Sequence, residues 1–147
     1  YLSRATLAWQ AAEALRAGIH DIDGLQVMGT PHSTVVTYAA TDRRLSLYAV
    51  ADILQVRGWA VDRQQSPPAI HCSTNATNVP TVAPYLADLG EAVATVRAHP
   101  ELGREGQAAM YGMMARIPVK GLVSHEVRKV MQDLYGADGA SPLLAAK

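Results

Sequence analysis

Residues 46–74, SLYAVADILQVRGWAVDRQQSPPAIHCST, decide the fold, because they read as a capped helix, a stop and a strand pair in direct succession. Leu47, Val50, Ala51 and Leu54 recur at i, i+3, i+4 and i+7, the spacing of one buried helical face. Ser46 stands where a side-chain oxygen can take a free first-turn amide, and Gly58 supplies the stop. Two short strands are expected at 59–65 and 69–74, around Pro67-Pro68. Proline donates no backbone hydrogen bond and fixes φ, so that pair marks a turn or a sheet edge.

Working outward, residues 2–19 are rich in alanine, with Leu7, Ala11, Ala14 and Leu15 spaced for one face of a first helix. Asp23-Gly24 breaks it, a short strand is expected at 25–28, and the β-branched run 34–38 gives a second. Downstream, Thr81 is an expected N-cap with Pro84 in the first turn, and Leu86, Leu89, Val93 and Val96 form the buried stripe of a long helix ending at His99-Pro100. The polar, glycine-containing segment 101–107 reads as a mobile loop. A last helix over about 121–135 would bury Leu122, Val123, Val127, Val130, Met131 and Leu134, leaving 136–147 as a frayed tail. This order predicts an α+β fold, a small and mainly antiparallel sheet with helices on one face, in one domain spanning 1–147.

The chain has 147 residues, 49% hydrophobic and 18% charged, which suits a packed core and argues against disorder. Thirteen basic side chains balance thirteen acidic ones, so no electrostatic footprint for nucleic acid or an anionic membrane exists. No apolar run approaches the roughly 20 residues of a membrane span. The single cysteine, Cys72, rules out an internal disulfide and suits a reducing, cytoplasmic setting.

Chemistry is sparsely marked. His20, His32, His71, His99 and His125 show no i, i+4 pairing, and no HxH or CxxC spacing occurs, so no metal site is expected. Neighbouring positions on a strand send His71 and Cys72 to opposite faces, so Cys72 reads as a small core residue and His71 as a hydrogen-bonded packing residue. Phosphate-loop, dinucleotide and hydrolase-elbow motifs are absent. Tyr111, in the uncharged run 108–114 beside Gly112, is the one candidate site residue, with loop anchoring as the alternative.

Four pieces occur together in order: Leu47-Tyr48, Arg57-Gly58-Trp59, Gln65-Ser66-Pro67-Pro68-Ala69-Ile70-His71, and Met110-Tyr111-Gly112-Met113. With them the chain resembles the carboxy-terminal domain of the sphingosine-1-phosphate lyases, pyridoxal-phosphate (PLP) enzymes of fold type I. The resemblance implies a fragment of a larger homodimeric enzyme, whose amino-terminal large domain would hold the PLP and its Schiff-base lysine. Lys120, Lys129 and Lys147 lie in no such context, so this segment alone should be inactive and bind no cofactor. The implied reaction cleaves a phosphorylated long-chain amino alcohol to a fatty aldehyde and phosphoethanolamine, with PLP stabilising the carbanion. Carried onto this sequence, the family's Tyr-Gly motif makes Tyr111 a group for substrate contact or proton handling. Departures from the pattern are Asn78 for a usual histidine, Gln64 for an apolar residue, Ser66 for a larger side chain, and Val119-Lys120 for an Asp-Arg pair. Alternatives are the small domain of a PLP-dependent amino-acid decarboxylase and a non-catalytic α+β interaction module.

Overall fold

The computed structural model describes residues 1–30 and 32–114, with further helical pieces at 124–125, 127–129 and 131–132. Its contacts divide the chain into two compact units, 1–115 and 116–147, where the sequence leads one to expect a single domain. The helix expected over 121–135 lies largely outside the described residues and the tail 136–147 wholly so. Of the side chains expected on that helix's buried face, Val127 and Met131 are exposed.

In the first unit the elements run α1 (Leu2–His20), β1 (Leu25–Val27), β2 (Val35–Ala40), α2 (Leu47–Val56), β3 (Asp62–Gln65), β4 (Pro68–Ser73), a 3-10 turn (Ala76–Thr81), α3 (Val82–Ala98), a second 3-10 turn (Pro100–Arg104) and α4 (Gly106–Met114). The four strands form one antiparallel sheet in the order β1-β2-β4-β3. Directly opposed residues share a face, so Val36 with Cys72, Tyr38 with Ile70, and Ile70 with Arg63 point the same way. The helices cover that face, giving the expected α+β layering.

Local chemistry explains the central segment. The Ser46 side chain accepts the Ala49 amide at 3.3 Å, and α2 buries Leu47, Val50, Ala51 and Leu54 as the spacing requires, with Tyr48 and Ala49 added. At its end Gly58 takes φ +93°, its amide returns to the Gln55 carbonyl at 3.0 Å, and the Trp59 amide returns to Leu54 at 3.1 Å. That is the paired 6→1 and 5→2 closure of a helix C-terminus, and it needs a residue at ease with positive φ. It also corrects the strand expected from residue 59. The Trp59 amide is committed to the helix and its indole donates to Asp88 Oδ2 at 2.7 Å, so β3 begins only at Asp62. Ser66-Pro67, joined by a cis bond, makes the turn, and Pro68 opens β4 opposite Gln65, where a missing donor costs least.

Four other expectations shift. On α1 the buried residues are Ala11, Ala12, Leu15 and Ile19, while Leu7 and Ala14 face outward. Thr81 does not cap α3: the 3-10 turn runs straight into the helix, so the Thr81 hydroxyl donates to the Asn78 carbonyl at 2.9 Å instead. The cap lies earlier, where Asn75 accepts the Thr77 amide and the Asn78 side chain accepts the Asn75 amide, each at 2.8 Å. Leu86 is half-buried against α1, where a Cβ at Gly18 would overlap it, and Tyr85 and Ala92 join Leu89, Val93 and Val96 in the core. Finally, 101–107 is no irregular loop but the second 3-10 turn and the start of α4.

Candidate functional site

Tyr111 lies on α4, and how that helix is held determines what its phenol can do. Gly106 opens α4 at φ +53°, where first-turn amides lack helical partners. The free first-turn amide of Ala108 is taken instead by Asp52 Oδ2 of α2, at 2.9 Å. The other carboxylate oxygen of Asp52 accepts from an Arg63 terminal nitrogen at 2.6 Å. Arg63 stands on the edge strand β3 yet points into the core, with its side chain only 4% exposed. The same nitrogen also donates to Gln55 Oε1 at 3.0 Å, while Nε has no partner among the described residues.

Over this pair sits the Tyr111 ring. The Arg63 guanidinium carbon is 5.5 Å from the ring centroid, within cation–π range. Tyr48 also approaches the ring, at 5.4 Å between centroids and tilted by 38°. The Tyr48 hydroxyl is tied to the Gln64 carbonyl on the outer edge of β3 at 2.7 Å. Burial, and then the neighbouring Tyr111 phenol, push Tyr48 above the ordinary tyrosine range, so it stays protonated. Among the described residues the half-buried Tyr111 hydroxyl has no hydrogen-bond partner. A phenol with a gripped ring and an uncommitted oxygen can contact a ligand. Around it α4 carries three exposed methionines, Met110, Met113 and Met114.

A second group of polar side chains surrounds a cavity of about 240 Å³ between the end of β4, the first 3-10 turn and α3, lined among others by Trp59, Asp62, His71, Cys72, Asn78 and Tyr85. Tyr38 and Tyr85 share a buried hydroxyl–hydroxyl bond of 2.6 Å, and Cys72 Sγ lies 3.6 Å from the Tyr85 hydroxyl. Desolvation raises all three acids, so both phenols and the thiol hold their protons at neutral pH. That suits packing rather than nucleophilic chemistry. His71 bonds Gln64 Nε2 at 3.1 Å and Ser73 at 3.4 Å, the packing role its sequence context implies. Among the described residues no group of His, Cys, Asp and Glu could hold a metal ion, and no helix is long and apolar enough to cross a membrane.

No protein-family model matches the chain. A sphingosine-1-phosphate lyase from Arabidopsis thaliana is 33% identical over 135 residues, 92% of this chain and 24% of the relative. Another from Oryza sativa subsp. japonica is 29% identical over 84% of this chain, and one from Drosophila melanogaster is 28% identical over 92%. A solved sphingosine-1-phosphate lyase from Burkholderia pseudomallei superposes with a TM-score of 0.59 at 28% identity, covering 67% of this chain and 23% of that one. The chain is a relative of the sphingosine-1-phosphate lyases. It spans about a quarter of the length of the curated lyases it matches, a share that fits a carboxy-terminal placement.

Within this lyase relative, the first and last motif pieces, 47–48 and 110–113, meet in space through the Tyr48–Tyr111 contact. Asp52 and Arg63, which hold that contact, escape sequence reading: a charge on an amphipathic helix or an edge strand is usually solvated. The available signal is alternation along β3, which sends Arg63 to the same face as the core residue Ile70. The described part of the first unit contains no lysine that could form a Schiff base with PLP. Of the departures, Asn78 serves the cap of the 3-10 turn and Gln64 anchors His71.

Proposed function

We propose that this chain is the small-domain segment of a PLP-dependent carbon–carbon lyase, in which Tyr111 reaches a site whose cofactor is held by another part of the protein. The substrate is a phosphorylated long-chain amino alcohol, cleaved to a fatty aldehyde and phosphoethanolamine. The full protein works as a homodimer in the cytoplasm, a setting that suits the free thiol of Cys72. The match to sphingosine-1-phosphate lyases along 92% of the chain carries the reading. Exposed apolar side chains support a partner surface over a self-sufficient module: Leu2, Leu7 and Trp9 on α1, and the three methionines on α4.

PLP, where bound, would stabilise the carbanion left when the Cα–Cβ bond breaks. This chain contributes geometry. The Tyr111 ring contacts both Tyr48 and Arg63, and its hydroxyl, without a partner among the described residues, is a donor and acceptor for the substrate hydroxyl whose proton must leave. Burial of neighbouring apolar surface at the α4 end would exclude water from that contact.

In the full PLP-loaded protein carrying this segment, a phosphorylated long-chain amino alcohol should yield a fatty aldehyde. Tyr111→Phe should lower kcat by about a hundredfold, the scale of general acid–base participation, with unfolding stability nearly unchanged. Unaltered turnover in Tyr111→Phe would return Tyr111 to loop anchoring, and release of carbon dioxide from an amino acid without aldehyde would move the activity to a decarboxylase.

A further inference from the structure

We infer that Arg63, oriented by Asp52, is the positioning residue for Tyr111: it sets the direction of the phenol through the π face of the ring. The inference rests on the proposed role of Tyr111 and names the device that aims it.

The geometry of the pair is the argument. Arginine–carboxylate pairs frequently engage through two parallel hydrogen bonds, and most buried donors find a partner. Here a single terminal nitrogen of Arg63 serves both Asp52 and Gln55, while Nε is buried without a partner among the described residues. The guanidinium has been turned from its best ion-pair geometry, and the group that gains is the Tyr111 ring at 5.5 Å. Asp52 joins the two ends of the device. One oxygen holds Arg63, and the other holds the Ala108 amide one turn before Tyr111, so the helix and the cation beneath its tyrosine move together. Gly106 completes the fit, since a Cβ there would stand 3.2 Å from Asp52 Oδ2 in a backbone conformation side chains avoid. Tyr48 packs on the ring too, at 5.4 Å between centroids, with its hydroxyl anchored to Gln64 beside Arg63 on β3. Among the described residues the oxygen of Tyr111 is the part of this assembly left unbonded, as expected of a group aimed at a ligand.

The test compares kcat and KM of the full PLP-loaded protein for Arg63→Met, Arg63→Lys and Tyr111→Phe, singly and with Tyr111→Phe combined with each. Position 111 is also read by 19F NMR after incorporation of 3-fluorotyrosine. Arg63→Met should lower kcat about tenfold with KM nearly unchanged, Arg63→Lys should recover part of it, and neither should matter once Tyr111 is phenylalanine. The fluorine resonance of position 111 should shift and broaden in Arg63→Met as the ring samples new orientations. An equal kcat loss in both tyrosine and phenylalanine backgrounds would assign Arg63 to structure alone and overturn the inference. If Tyr111→Phe leaves kcat intact, the reading of Tyr111 fails by itself. The fluorine spectrum then decides Arg63: a changed spectrum upholds positioning of the ring, and an unchanged one removes it. Should Arg63→Met not fold, Asp52→Asn, which keeps an acceptor for Ala108, serves the same comparison.

Discussion

Replacing Tyr85 by phenylalanine removes one oxygen from the buried hydroxyl pair and leaves the other stranded. Tyr38 is fully buried and its hydroxyl bonds Tyr85 at 2.6 Å, so in Tyr85→Phe it keeps no partner among the described residues. A buried hydroxyl left unsatisfied costs about 1–3 kcal/mol, and the complete burial of Tyr38 places this one near 2 kcal/mol. The reverse change, Tyr38→Phe, is milder, about 1 kcal/mol, because Tyr85 retains the Cys72 sulfur at 3.6 Å as a weak partner. Removing both oxygens leaves two apolar rings of the same shape, so the double variant should lie within about 1 kcal/mol of the parent. Urea unfolding at neutral pH measures all four proteins, and each kcal/mol should move Tm by roughly 2–4 °C for a chain of this size. The signature is non-additivity: the double variant is more stable than Tyr85→Phe. A double variant whose loss equals the sum of the single losses would refute the reasoning, since the two hydroxyls would then contribute independently.

The same pair makes stability depend on alkaline pH. Burial raises both phenols above the ordinary value of 10.0, so the folded state holds their protons more tightly than the unfolded chain does. Stability from this source is complete below about pH 10 and falls as pH rises further, by at most about 1.4 kcal/mol per pH unit for each phenol; denaturant midpoints taken from pH 8 to 11 should fall less steeply in the double phenylalanine variant, and an identical slope would exclude the pair as the cause. Cys72→Ala should cost about 1 kcal/mol in a urea melt with kcat of the full protein unchanged, because burial keeps the thiol protonated and packed; selective loss of activity in a normally folded variant would make Cys72 functional.

Local chemistry made much of this fold legible. Ser46, the Leu47-Val50-Ala51-Leu54 stripe and Gly58 define a helix that the structure reproduces to its caps, because each acts on neighbours within a turn. The Asn75–Asn78 cap was equally local and readable, yet Thr81 was the stronger signal beside Pro84, and the 3-10 turn that displaces it has little periodicity of its own. On α1, alanine made the buried face ambiguous, since nearly every rotation of the helix presents small apolar residues. Only the fit of Leu86 over Gly18 and the packing of Leu15 and Ile19 select one.

By itself, then, the sequence determined the first three helices and the four strands, the antiparallel α+β layering and the kinship with sphingosine-1-phosphate lyases, and it offered Tyr111 as the residue to watch. Tertiary structure alone decided the company it keeps. Asp52 and Ala108 are 56 positions apart, and Tyr38 and Tyr85 are 47 apart. Hydrophobic spacing records which face of an element is buried, but it carries no label for the partner. A buried charge or hydroxyl finds its complement only when separate elements close over the same core, so the grip on Tyr111 exists only in the folded chain.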